Sequence, residues 1–117
     1  MKYFVICPVR NITPKEKKSI DNYILSLENL GHKVYLPYHD TDQNDDIGLR
    51  ICSDNFKAIK EADKVLVFWN GKSEGSLFDF GMSFAFNRLF GKPIELINSV
   101  KKTPYKSFNN VLLALQK

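Results

Sequence analysis

Three apolar runs set the terms on which this chain can fold: "KYFVIC" at residues 2–7, "DKVLVFW" at 63–69 and "KPIELIN" at 92–98. The first two are almost unbroken in large apolar side chains, a pattern of strands covered on both faces, as in a parallel sheet, and not of strands with one face in water. The segments between them carry helical signals. Thr13-Pro14-x-Glu16 offers an N-cap, a proline at the first helical position and a capping-box partner, and the stripe Ile20, Tyr23, Ile24, Leu27 and Leu30 runs up to Gly31, a natural stop. "HKVYLPY" supplies a further short strand, a second helix runs from about Leu49 to Ala62 with Ile51, Phe56 and Ile59 on one face, and Tyr105 to Gln116 closes the chain as a helix. Strand and helix alternate throughout, which predicts an α/β fold around a parallel sheet.

Size and composition bound the rest. With 117 residues, 44% hydrophobic and 26% charged, the chain is expected to form one domain over residues 1–117, with a single core. The apolar start is too short for a signal peptide and no run reaches the length of a membrane span, so a soluble, cytoplasmic protein is expected. Cys7 and Cys52 form no CxxC pair, and no His- or Cys-rich set points to a metal. The net charge of +4 comes from dispersed lysines without a recognition motif. That argues against nucleic-acid or membrane partners, while leaving a field that attracts a phosphorylated small molecule.

The acidic stretch "HDTDQNDDIG" at 39–48 alternates Asp40, Asp42 and Asn44 in the manner of a calcium loop, but Asp45 stands where the turn glycine belongs and Ile51 where a bidentate Glu is required. It reads as a solvated or lid-like loop. GxGxxG, GxxxxGK[ST] and GxSxG are absent, which removes the dinucleotide, P-loop and serine-hydrolase templates. His32 and His39 lie in turn and loop segments and read as solvated.

Ligands of open parallel sheets bind beyond the carboxyl ends of the strands. Here that rule selects "CPVRN", "PYHDTD" and "NGKSEGS". Arg10 in the first can grip a phosphate or carboxylate, and Ser73, Gly75 and Ser76 in the third stand where backbone N–H groups at a helix start would face an anion. The helix that follows carries Ser76, Asp79, Ser83 and Asn87 on one stripe, at spacings of three and four, among Leu, Phe, Met and Ala. Ser76-x-x-Asp79 matches a capping box in position, so Asp79 reads as a first-turn cap or as a reagent; spacing alone does not separate the two.

In order and motif the chain resembles the nucleoside 2-deoxyribosyltransferase superfamily, which includes 2'-deoxynucleoside 5'-phosphate N-hydrolases. The resemblance rests on a first strand entering "CPVR", a helix before "EADKVLVF", and "GSLFDFGMSFAFNRLFGKP". It implies a flavodoxin-like or Rossmann-like three-layer sandwich with four or five parallel strands in the order 2-1-3-4(-5). It implies that Asp79 takes the place of the family's nucleophilic Glu, and that Asn55, with Asp54 beside it, takes the place of a carboxylate serving the base. Ser73 and Arg10 fall on phosphate-binding positions, while Phe4, with Tyr3 adjacent, falls where the family has a tyrosine. Two substitutions therefore meet in one site: Asp for Glu and Asn for Asp.

The function expected on these grounds is hydrolysis or transfer at the N-glycosidic bond of a nucleoside or nucleoside 5'-monophosphate. Asp79 is the candidate nucleophile, Arg10, Asp54, Asn55, Ser73, Gly75 and Ser76 are the candidate binding residues, and neither metal nor cofactor takes part. The alternative is a module on the same fold that binds or senses a nucleotide without turnover. Leu77, Phe78, Phe80, Met82, Phe84, Phe86, Leu89 and Phe90 make the last long helix apolar on more sides than one sheet face covers, which predicts a homodimer through that helix.

Overall fold

The computed structural model of the chain describes residues 1–116. Four strands, β1 (Lys2–Ile6), β2 (Lys33–Tyr35), β3 (Lys64–Val67) and β4 (Ile94–Leu96), form one sheet in the order β2-β1-β3-β4. Every neighbouring pair is parallel, with Lys2 beside Lys33, Tyr3 beside Lys64 and Val65 beside Ile94. The helices are α1 (Pro14–Asn29), α2 (Pro37–Asp40), α3 (Leu49–Glu61), α4 (Glu74–Phe90) and α5 (Phe108–Leu115).

Successive side chains of β1 point to opposite faces, and the core divides accordingly. Phe4 and Ile6 join Val65, Val67 and Ile94 under Ile59 of α3, Phe80 of α4 and Leu112 of α5. Val5 and Cys7 join Leu66 under Ile20 and Ile24 of α1. The result is the expected three-layer sandwich, with α1 and Tyr38 of the short α2 on one side and α3, α4 and α5 on the other, and with no strand between β4 and α5.

The ends of α1 follow the sequence closely. Thr13 Oγ1 accepts from the Glu16 amide at 3.1 Å while Glu16 Oε1 accepts from the Thr13 amide at 3.0 Å, and Gly31 takes the left-handed φ of 91° past the helix end. The start of α4 departs from expectation. Asn70 and Gly71, the latter at φ 75°, make a tight turn that delivers Ser73 as the N-cap, its Oγ accepting from the Ser76 amide at 3.1 Å. The helix thus begins three residues earlier than Ser76-x-x-Asp79 implies, which puts Asp79 in the second turn with no free amide to cap.

The acidic loop is largely exposed, as expected, and held in place. Its first part is the helical turn α2, and the remainder is pinned by the Arg50 guanidinium, which donates to the carbonyls of Asp42 and Asn44 and pairs with Asp54 at 3.1 Å. Asp45 Oδ2 accepts from the amides of Arg50 and Ile51, serving the start of α3 because Gly48 at its N-cap has no side chain to do so. Those backbone bonds hold the Asp45 carboxyl below its usual range. Among the described residues no cluster of acidic, His or Cys side chains is arranged to hold a metal ion.

Candidate active site

The stripe of α4 that faces the protein interior is its polar one. Ser76, Asp79 and Ser83 are buried together with Phe80, whereas Leu77, Phe78, Phe84, Leu89 and Phe90 are exposed. Ser83 has an internal use, since its hydroxyl donates to the Asp79 carbonyl one turn back at 2.8 Å. Asn87 closes the far end of the helix by donating to the Lys92 carbonyl. Ser76 and Asp79 are left as the polar groups of this face near the carboxyl end of the sheet.

Asp79 is 6% exposed, and removal from water pushes its carboxyl from the ordinary 3.8 to about 7, opposed only by a hydrogen bond from Asn55. Burial thus outweighs any help from the helix dipole, which fades within the first turn. Near neutrality the group therefore sits at its midpoint. Asn55 reaches it from α3, where Ile51, Asn55, Ile59 and Ala62 share one stripe and only Asn55 is polar. Asn55 Nδ2 lies 3.4 Å from Asp79 Oδ2 and is itself 6% exposed. The other carboxylate oxygen, Oδ1, has no protein donor among the described residues.

Sequence reading missed Thr41 and Tyr35. The Thr41 hydroxyl donates to Asn55 Oδ1 at 2.8 Å, and the Tyr35 hydroxyl lies 2.6 Å from Thr41 Oγ1. Neither position carries a periodic signal, because Tyr35 ends an edge strand and Thr41 lies in the loop after α2; only the fold brings them to Asn55.

The remaining candidates divide. Ser76 Oγ is buried without any hydrogen-bond partner, an unusual state for a hydroxyl and one that a ligand oxygen would relieve. Ser73 is the helix cap, and the first-turn amides of Glu74 and Gly75 have no helical acceptor, as at any helix start. Gly75 has ordinary helical backbone, and an added Cβ would meet only Ser73 Oγ at 3.9 Å, so its importance is not conformational. Arg10 is exposed in the loop after β1, the strand paired with β3 that leads to α4. Asp54 does not join Asp79: it pairs with Arg50 and lines a groove of about 530 Å³ along β2 and α3, with Tyr35, Lys57 and Ala58. Phe4 is wholly buried and stacks on Tyr35, which leaves no hydroxyl from β1 at that place. His39 is bound to Asp40, and His32 lies beside the N-terminal amine, at the other end of β1.

Cys7, just past β1, has its thiol pushed up to about 12 by burial first and then by the charges of Asp79 and Asp21. A group held so firmly as a thiol is no nucleophile.

A parallel sheet in the order 2-1-3-4, covered on both faces by helices, is the flavodoxin-like fold of the nucleoside deoxyribosyltransferases. Two solved structures stand close to it. A 2-deoxyribosyltransferase from Bacillus psychrosaccharolyticus superposes with a TM-score of 0.68 at 18% identity, covering 98% of this chain and 96% of its own. A CMP N-glycosidase from Clostridium botulinum superposes with a TM-score of 0.63 at 25% identity, covering 98% of this chain and 82% of its own. No protein-family profile and no curated protein sequence matches the chain. The likeness is one of fold over nearly the whole length. No described helix is long and apolar enough to cross a membrane.

Proposed function

We propose that this protein cleaves or transfers the N-glycosidic bond of a nucleoside or nucleoside 5'-monophosphate, with Asp79 as the carboxylate nucleophile. The observation that carries the reading is the state of Asp79: buried, met by one donor on Oδ2, and with Oδ1 unclaimed by the protein. In the reaction Oδ1 attacks the anomeric carbon, the bond from that carbon to the base nitrogen breaks, and its electron pair leaves with the base. Water, or a second base, then displaces the carboxylate from the sugar ester. Asn55 orients the nucleophile but has no proton to give, so the departing base takes its proton from water. Ser76 Oγ, Ser73, the Glu74 and Gly75 amides and Arg10 bind the sugar hydroxyls and the phosphate. Two known proteins of this fold, a 2-deoxyribosyltransferase and a CMP N-glycosidase, support this class of reaction.

A midpoint near 7 serves this chemistry, because a substantial fraction is ionised at neutral pH while the desolvated carboxylate is a stronger base than a solvated one. The test is incubation with a panel of nucleosides and nucleoside monophosphates, read as free base by chromatography. Base release from at least one member, lost in Asp79→Asn, is expected. Binding without release from any member would move the protein to the second reading, a nucleotide-sensing module, which the lack of an acid beside Asp79 favours.

The active unit is a homodimer formed through α4. Its outer face offers Leu77, Phe78, Phe84 and Leu89 to solvent along one helix, an apolar surface that a two-fold contact would cover, while Asp79 stays on the opposite, buried face of the same helix. Sedimentation at micromolar concentration is expected to give a dimer; a monomer would remove this part of the proposal.

A further inference from the structure

We propose that Thr41, backed by Tyr35, is a positioning residue for Asp79, acting through Asn55: a chain of hydroxyls turns the Asn55 amide so that its NH2 faces the carboxylate. The inference rests on Asp79 being the reacting group. An ionised carboxylate only accepts hydrogen bonds, so Asn55 must present Nδ2 to it and leave Oδ1 facing away. Oδ1 accepts from Thr41 at 2.8 Å, which uses the single proton of that hydroxyl, and Thr41 Oγ1 therefore accepts from Tyr35 at 2.6 Å. Every link donates toward Asp79, and each polarises the next.

Both outer links are fixed. The Tyr35 ring stacks on Phe4 with centroids 5.5 Å apart. Thr41 is 4% exposed, its amide donates to the Pro37 carbonyl, and its own carbonyl accepts from Gln43. The chain runs from the groove along β2 and α3, which Tyr35 lines, to the buried face of α4, and so ties the edge of the sheet to the site.

Few other groups act on Asp79. Just past β1 there is the Cys7 thiol, uncharged; on α4 the Ser83 hydroxyl goes to the Asp79 backbone; no lysine or arginine opposes the cost of burial. Asn55 is the one group that favours the ionised form. Whatever loosens Asn55 therefore shows directly in the titration of Asp79.

The experiment is carbon NMR of the aspartate carboxyls in the intact chain, with Asp79 assigned by its loss in Asp79→Asn, for the wild type, Thr41→Val and Thr41→Ser. Thr41→Val preserves shape but removes the donor to Oδ1. Its midpoint is expected to rise by about one pH unit, with Thr41→Ser restoring the wild-type value. Should Thr41→Val fail to fold, Tyr35→Phe leaves the packing of Thr41 intact and is expected to shift the midpoint the same way by less. An unchanged midpoint in the folded variants would overturn the proposal even if base release continued. A shifted midpoint without base release from any nucleotide would leave the positioning chain standing and remove only the proposed reaction.

Discussion

Replacing Asp79 with Asn separates a working carboxylate from a structural one, because the two have opposite signs in stability. The folded-state midpoint near 7 lies above the ordinary 3.8, so the native state keeps this proton over a range where the unfolded chain has released it. Stability on this account is whole below about pH 4 and is lost as the pH rises toward 7, since the unfolded state is the one that gains by ionising. At ~1.36 kcal/mol per unit, a difference of about three units amounts to about 4 kcal/mol by pH 8, and to less than about 2 kcal/mol at pH 5. The figure is an upper bound for Asp79→Asn, whose amide must fit the same contacts without the charge. Urea unfolding of both proteins at the two pH values is the assay. The variant is expected to be the more stable at pH 8, by up to about 4 kcal/mol, with the advantage shrinking at pH 5. A loss of about 0.5–2 kcal/mol at both pH values, as on removing a helix cap, would refute the reasoning.

Other consequences are open to direct measurement. Thr13→Ala removes the side-chain half of the capping box of α1, leaving the Glu16 side chain its bond from the residue 13 amide, and should destabilise the fold by about 1 kcal/mol, visible as a lower Tm with Asp79 titration unchanged. Maleimide labelling of the native protein should modify the half-buried Cys52 well before Cys7, which is 3% exposed and held as a thiol; equal rates would contradict the burial of Cys7. Phe78→Glu or Leu89→Glu on the outer face of α4 should convert a dimer to a monomer by sedimentation while leaving the thermal transition of the monomer cooperative. Phe86 is a poorer probe of that face, because its ring packs against Phe56 and the core.

The sheet was legible because its strands are short and unbroken in apolar residues, and burial on both faces leaves such runs no other place. Helix ends were legible where two signals agreed, as at Thr13 with Glu16. They were misread where two candidates overlapped: Ser73-x-x-Ser76 and Ser76-x-x-Asp79 both suit a helix start, and the turn at Asn70 and Gly71 decides for Ser73. That placement also decides the state of Asp79, since a first-turn carboxylate gains from the helix dipole and a second-turn one buried against the sheet does not. Asn55 was reached through the family resemblance and not through spacing; in the structure its Nδ2 lies 3.4 Å from Asp79 Oδ2. Asp54 beside it was indistinguishable by spacing, and the Arg50 one turn before it is what turns it away. Thr41 and Tyr35 gave no signal, because a loop hydroxyl acquires meaning only from what the fold places against it.

The most direct test of Asp79 as nucleophile is mass spectrometry of the protein quenched in acid during turnover of a nucleotide that releases base. The expected result is a fraction of the chain heavier by one pentosyl or phosphopentosyl group, localised to the peptide containing Asp79 and missing in Asp79→Asn. Base release at an undiminished rate by Asp79→Asn, or an adduct on any other residue, would contradict the assignment.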